Sequence, residues 1–178
     1  MFPPSNKLNN NYYHLSVKAM TGTWVKGWVG ATDADNSMAH WKQQTLCGNR
    51  HFDAGEHAKA LDYYQQALWL ARQQFSFWHD SDEAVAALVV AHHNLADLLV
   101  AMTLPDRAAD MLCHIHDCLI ATSQSPACST SLRASALRHS RTTHTELLAF
   151  VRKHGTHDGI QRCLGQCQCQ AEPAARLH

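Results

Sequence analysis

The sequence GNRHFDAGEHAKALDYYQQAL, residues 48–68, decides the fold class of this 178-residue chain. Its small, apolar and aromatic residues recur three or four positions apart, as they do along one face of an α-helix. Gly55 interrupts the pattern at a point where glycine can adopt the positive φ of a tight turn. The stretch therefore predicts two helices joined by a short turn.

The same helical period continues along the chain, and no alternating strand pattern is found after residue 40, so we expect an all-α protein. Ser81 or Asp82 is expected to cap the third helix, and Pro105 to open the fourth. Gly155 is expected to end the fifth helix. The predicted helices cover residues 40–53, 56–77, 82–102, 105–122 and 131–154, and a weaker helix covers residues 158–164.

The two ends of the chain differ from the helical part, which we place at residues 38–155. Residues 1–37 are rich in Pro, Asn and Ser and show no helical period, so we expect a poorly ordered leader. Met38 is then a candidate for the true start of translation, and a short hairpin around Trp24 and Trp28 is the alternative. Residues 156–178 are expected to form the weak helix and a frayed tail that contains cysteines.

The composition excludes several classes of protein. Lys plus Arg and Asp plus Glu are equal at 15 each, which argues against a nucleic-acid-binding surface and against binding to a membrane surface. The longest apolar run, residues 84–91, is far shorter than the roughly 20 residues of a membrane span. No signal peptide is visible, and the seven cysteines are odd in number and irregularly spaced. We therefore expect a cytoplasmic protein with reduced thiols.

The opening stretch resembles the tetratricopeptide repeat, a helix-turn-helix unit of 34 residues with small and aromatic residues at fixed positions. A second unit, from His92 to Ile115, matches the pattern at fewer positions, and Thr103 replaces its turn glycine. The matching residues in the first unit are Cys47, Gly48, His51, Phe52, Gly55, Ala60, Tyr64 and Ala67, and those in the second are Leu95, Ala96, Leu99, Ala108 and Leu112.

The resemblance implies antiparallel helical hairpins stacked as a short α-solenoid, capped by the helix over residues 131–154. It also implies an adaptor or scaffold similar to small bacterial proteins of this kind, which binds an unknown protein or peptide in a groove. Asn49 and Asn94 match positions that clamp a C-terminal carboxylate, and Arg138 and Arg141 would supply the cations of such a clamp. The groove residues implied are Lys42, Thr45, Asn49, Asp53, Val90, His93, Asn94, Asp97, Arg138 and Arg141.

The chain also contains 14 His and 7 Cys, which favour a metal- or redox-responsive protein as the first alternative. CHIHDC, residues 113–118, places His–Cys pairs on a helix, and CLGQCQC, residues 163–169, adds three thiols. A His–Cys pair at helical spacing can bind zinc, but neither segment has a compact four-ligand spacing, and free cysteines often pack as small apolar residues. We therefore predict no metal site and no cofactor.

An enzyme of unknown class is the second alternative. His92, His93 and Asp97 lie near one another in sequence, and His139 and His144 follow on a later helix. A histidine beside a carboxylate can transfer protons. The sequence has no motif for an activated nucleophile and no paired carboxylates, so we expect no catalysis.

Four aromatic residues close the second predicted helix: Trp69, Phe75, Phe77 and Trp78. We expect them to pack between the second and third helices. The alternative is that they stay exposed and form the surface of a homodimer or a partner site.

Overall fold

The computed structural model describes the backbone of residues 31–170 and the side chains of residues 37–165. Within this part of the chain the fold is all-α, as predicted, and the described backbone contains no β-strand. The helices are α1 (Ala31–Asp53), α2 (His57–Gln74), α3 (Ser81–Ala101), α4 (Pro105–Gln124), α5 (Thr130–His154) and α6 (Asp158–Gln170).

The ends of several helices differ from the prediction. α1 begins at Ala31, nine residues before the expected start, and its Met38 is buried in the core. α6 continues to Gln170 rather than ending at residue 164. α3 is capped by Asp80, whose carboxylate accepts hydrogen bonds from the backbone N–H groups of Asp82 and Glu83 at 2.8 and 3.1 Å. Pro105 opens α4, as expected.

The expectations for the leader concern mostly residues 1–30, including Trp24 and Trp28, which lie outside the described residues. The side chains of Cys167 and Cys169 also lie outside them. The poorly ordered leader and the frayed tail therefore stay predictions.

Each helix packs against the next one along the chain. α3 also packs against α5 and, over a smaller area, against α1, and α4 also packs against α6. α3 is therefore the central helix, with neighbours on several sides, and its side chains are correspondingly apolar. The largest fully buried apolar side chains are Met38, Leu88, Leu98, Ile115, Leu119, Leu147 and Ile160.

The crossing of α1 and α2 depends on one glycine. A Cβ atom added to Gly48 would overlap the ring of Tyr64, which is itself buried. The Tyr64 hydroxyl donates a hydrogen bond to Asn49 Oδ1 at 2.9 Å, and this bond fixes the ring over Gly48. Gly55 turns the chain with a φ of 73°, and Thr103 turns the second hairpin with a φ of 61°. Thr103 thus adopts a left-handed conformation that favours glycine.

α3 is long and apolar enough, by length and composition alone, to cross a membrane, with a mean hydropathy of 1.6 over its best window. The sequence showed no sign of such a helix because the uninterrupted apolar run, residues 84–91, is only part of α3. In the structure 61% of that window is buried among the other helices, as expected for the core helix of a globular fold.

The four aromatic residues near the end of α2 do not form one cluster. Phe75 and Trp78 are buried in the core, as the packing prediction requires. Trp69 and Phe77 are 61% and 71% exposed, because Trp69 lies on the outer face of α2 and Phe77 in the turn before α3. The packing prediction is therefore right for two of the four residues, and the other two remain exposed.

Candidate functional site

Polar side chains from α1, α3 and α5 come together where α3 lies between the other two helices. We call this surface the odd-helix face. It has an amino end, near the start of α3, and a carboxyl end, nearer the last turns of the three helices. The residues that define it are Lys42, Asn49 and Asp53 of α1, Asp82, Glu83, His93 and Asp97 of α3, and Arg138, His139, Glu146 and Lys153 of α5.

At the amino end every carboxylate is paired with a cation. Lys42 Nζ lies 2.8 Å from Glu83 Oε1, and Arg138 Nη2 lies 2.6 Å from Asp82 Oδ1. His139 Nε2 also lies 3.2 Å from Asp82 Oδ1. The pKa of Asp82 is lowered chiefly by its bond with Arg138, and that of Glu83 chiefly by its bond with Lys42. These ion pairs join α1, α3 and α5, and the opposite charges within each pair neutralise each other.

At the carboxyl end two carboxylates, Asp53 and Asp97, act on a buried tyrosine. The pKa of Tyr64 is raised first by burial and then by the negative charges of Asp53 and Asp97. Asp53 and Asp97 belong to α1 and α3, so Tyr64 reaches from α2 to the boundary between these helices. The Tyr64 hydroxyl donates to Asn49 Oδ1. The amide N–H₂ of Asn49 is therefore the group with which Asn49 could donate to a ligand.

His93, Asp97 and Glu146 influence one another across the α3–α5 boundary. Burial lowers the pKa of His93, while the nearby Glu146 and Asp97 charges oppose this effect, so the imidazole is mostly neutral at pH 7. Asp97 is exposed as a residue, yet its neighbours desolvate the carboxyl group and raise its pKa. Lys153 acts in the opposite direction on Asp97. The His93 Nε2 atom is buried and has no hydrogen-bond partner among the described residues.

The carboxyl end is therefore negatively charged at neutral pH. Asp53, Asp97 and Glu146 contribute three carboxylates, and Lys153 is the cation that acts on Asp97 there. Among the side chains that the structure describes, none of these three carboxylates has an ion-pair partner within 4.0 Å. This arrangement attracts cations and repels an anion such as a C-terminal carboxylate.

The groove residues predicted from the sequence fall into different environments. Thr45 is buried and donates its hydroxyl to the Trp41 carbonyl at 2.9 Å. Val90, Asp97 and Arg141 are exposed, and Asn94 is half-buried. Of the two cations expected for a carboxylate clamp, Arg138 is already paired with Asp82, whereas Arg141 is exposed; Lys42 is paired with Glu83.

Sequence reasoning missed Glu146 and Lys153. The signal was present, because His139, Glu146 and Lys153 are seven residues apart and therefore lie on one side of a helix. The apolar residues of α5 form the stronger pattern, and that pattern indicates the buried side of the helix.

Two of the histidines that were weighed as metal ligands or catalytic groups make mainly structural contacts. His92 is fully buried, bonds through Nδ1 to the Leu88 carbonyl at 2.8 Å, and has a pKa lowered to about 3 by burial. His116 Nδ1 lies 2.8 Å from Thr143 Oγ1. Within residues 37–165 no group of three or more His, Cys, Asp or Glu side chains is placed to hold a metal ion.

Comparison with known families places the chain in one of them. The family model described as "Protein of unknown function (DUF2753)" matches residues 39–177, which is most of the chain, so the protein belongs to this family. The assignment to the tetratricopeptide repeat family was therefore wrong, and no model of that family matches. Small and aromatic residues at helical spacing are required at any close crossing of two helices, so the pattern did not identify a family. No curated protein and no solved structure matches the chain.

Proposed function

We propose that this protein is an adaptor that binds a segment of a partner protein on its odd-helix face. In this proposal the hairpins α1–α2 and α3–α4 stack as a short α-solenoid, and α5 caps the stack. The packing of α3 against both α1 and α5 supports the proposal, because it brings three helices of the same direction to one surface. Such a surface can contact an extended segment along its length.

The observation that carries the proposal is the difference in charge between the two ends of this face. At the amino end the carboxylates are paired within the fold, and at the carboxyl end Asp53, Asp97 and Glu146 are not. Keeping like charges close together costs free energy, which a cationic partner would recover. We therefore propose that the segment carries Lys or Arg residues, which pair with these carboxylates, while its backbone bonds to Asn49, His93 and Asn94.

The same proposal assigns the protein no catalytic role and no cofactor, and places it in the cytoplasm without nucleic-acid or membrane partners. The equal numbers of acidic and basic residues support this part. The Tyr64 hydroxyl, which lies near two of these carboxylates, is already bonded to Asn49.

The test is capture of partners from a native lysate, combined with chemical cross-linking to locate the contact. The variant Asp97→Asn/Glu146→Gln removes two negative charges from the odd-helix face. Its matched control, Asp62→Asn/Asp110→Asn, removes two exposed charges from α2 and α4. We expect a partner that cross-links near Lys153, is lost from the first variant and is retained by the control.

A partner retained by both variants would contradict the proposal. In that case cross-links near Trp69 and Phe77 would move the binding surface to the exposed aromatic residues. Self-association through the same residues would instead favour a homodimer.

A further inference from the structure

The chain divides into two parts of opposite charge. Residues 1–30, which we call the basic segment, contain three lysines, Lys7, Lys18 and Lys26, and no Arg, Asp or Glu. Of the 15 basic residues, 12 therefore remain in residues 31–178, together with all 15 acidic residues. With neutral histidines, the helical part carries a net charge of −3 and the basic segment a net charge of +3. The overall neutrality of the protein is thus the sum of two parts that attract each other.

The odd-helix face has an exposed apolar middle between its two charged ends. Leu46, one helical turn after Lys42, is 57% exposed, and Val90, seven residues from both Glu83 and Asp97, is 38% exposed. Because Lys42 pairs with Glu83 across the α1–α3 boundary, the residues that follow these two at helical spacing lie on the same face. The face therefore offers an apolar patch beside the unpaired carboxylates of its carboxyl end.

The basic segment is long enough to reach both regions. It joins α1 at Ala31, from which Leu46 and Asp53 lie about 22 and 33 Å along the helix, at 1.5 Å per residue. An extended chain spans about 3.3 Å per residue. Trp24 lies seven residues before Ala31 and can therefore come level with Leu46. Lys18 lies 13 residues before Ala31 and can come level with Asp53.

We propose that the basic segment binds along the odd-helix face of its own chain and occupies the site of the partner. Trp24 covers Leu46 and Val90, and Lys18 pairs with a carboxylate at the carboxyl end. The inference rests on the proposed function, because it uses the same face. The segment is then an internal competitor that a partner must displace. Its covalent attachment favours it, since a short tether gives an effective concentration on the order of 1 mM.

Cross-linking of the full chain with a carbodiimide tests where the basic segment binds. The reagent joins a lysine amine to a carboxyl group in contact with it, with loss of one water, and mass spectrometry identifies the linked peptides. We expect Lys18 to be linked to one of the three carboxylates of the carboxyl end. Lys26 is the internal control, because it lies five residues before Ala31, spans about 17 Å and does not reach these carboxylates.

A mixture of unlabelled and ¹⁵N-labelled chains shows whether the contact is made within one chain. We expect each linked pair of peptides to carry a single isotope. Links between labelled and unlabelled peptides would overturn the proposal, because they would place the segment on a second copy of the protein. The absence of any link from Lys18 to the three carboxylates would overturn it as well.

Two tryptophan variants test the apolar contact. Trp24→Ser should lower the yield of the Lys18 link about fivefold, since it removes a large apolar side chain from the interface. Trp28→Ser is the matched control, because Trp28 lies three residues before Ala31 and cannot come level with Leu46. Equal yields in the two variants would contradict the binding of Trp24 on the apolar middle.

Binding of a fluorescent peptide rich in Lys and Arg separates this inference from the proposed function. Lys7→Gln/Lys18→Gln should raise the affinity of the full chain for this peptide about threefold, because it weakens the internal competitor. Peptide binding that is the same in wild type and variant, with no links from Lys18, would overturn the competitor and leave the partner site standing. Links from Lys18 in the wild type, without peptide binding by either chain, would instead contradict the proposed function.

Discussion

Two helices pack closely both at the α1–α2 crossing and at the α4–α5 boundary, but different kinds of side chain make the contact. In the first, Gly48 leaves out a side chain so that the Tyr64 ring can lie against the helix backbone. In the second, buried His116 donates from Nδ1 to Thr143 Oγ1, and the threonine hydroxyl donates to the Ser140 carbonyl at 3.0 Å. A small residue facing an aromatic one can be recognised in a sequence. The sequence alone does not distinguish a histidine that packs in a core from one that binds metal.

The largest effect should come from filling the space at the first crossing. Gly48→Ala should lower the free energy of unfolding by about 2 to 3 kcal/mol, because the added Cβ overlaps the Tyr64 ring and the buried ring has little room to move. Chemical denaturation measures the change. Gly165→Ala on α6 is the matched control, since nothing lies within 4 Å of an added Cβ there, and it should be neutral or slightly stabilising. Equal effects at the two glycines would contradict the close crossing.

The buried histidines should make the second half of the molecule sensitive to acid. The pKa of His92 is about 3 in the folded protein and 6.5 in the unfolded chain, so below pH 6.5 the unfolded state binds the additional proton. Stability is therefore complete above pH 6.5 and falls as the pH decreases toward 3. The loss from His92 alone should be about 2 kcal/mol at pH 5.

Denaturation of wild type and His92→Leu between pH 7.5 and 5 measures this loss. The variant should lose less stability over that range, while His79→Gln, in an exposed position, should follow the wild type. Parallel curves for wild type and His92→Leu would show that His92 accepts a proton in the folded state, contrary to the account.

The hydrogen-bond chain at the α4–α5 boundary should matter less. Thr143→Val keeps the shape but removes the oxygen that His116 Nδ1 contacts, so the free energy of unfolding should fall by about 1.5 kcal/mol. Thr145→Val is the matched control on α5, because its hydroxyl bonds to the Arg141 carbonyl at 3.0 Å but is exposed. We expect the control to change stability by less than about 0.5 kcal/mol. Similar losses of stability in Thr143→Val and Thr145→Val would contradict a larger contribution from the buried hydrogen bond.

The smallest effect should come from the surface pair that joins α1 to α3. Lys42→Ala removes the contact with Glu83, in which both side chains are partly exposed, and should cost about 0.5 kcal/mol at low salt. The difference from wild type should vanish at 1 M salt, since screening weakens exposed ion pairs. A loss that is several times larger, or that is independent of salt, would mean that this pair holds the helices together.

The all-α fold could be predicted because helical periodicity and the turn at Gly55 are local properties of the sequence. The start of α1 could not, since residues 31–37 carry no apolar stripe and are helical nonetheless. The local pattern also misled the family assignment, because Gly48 and Tyr64 satisfy a packing requirement that many helical families share.

The candidate site was predicted only from the resemblance to the tetratricopeptide repeat. That resemblance implied Asn49, His93 and Asp97, and the structure places them at the carboxyl end of the odd-helix face. The pairing of Arg138 with Asp82 depends on how α5 packs against α3, over a separation of 56 residues, and no local pattern records it.

The most direct test of the account is the binding of fluorescent peptides of equal length and equal composition except for charge. Fluorescence anisotropy at pH 7.5 would compare peptides rich in Lys and Arg with matched peptides rich in Asp and Glu. The account predicts that the cationic peptides bind more tightly and that Asp97→Asn/Glu146→Gln weakens them about tenfold, as expected for the loss of two charge contacts. Preferential binding of the acidic peptides, or equal binding of both classes, would contradict it.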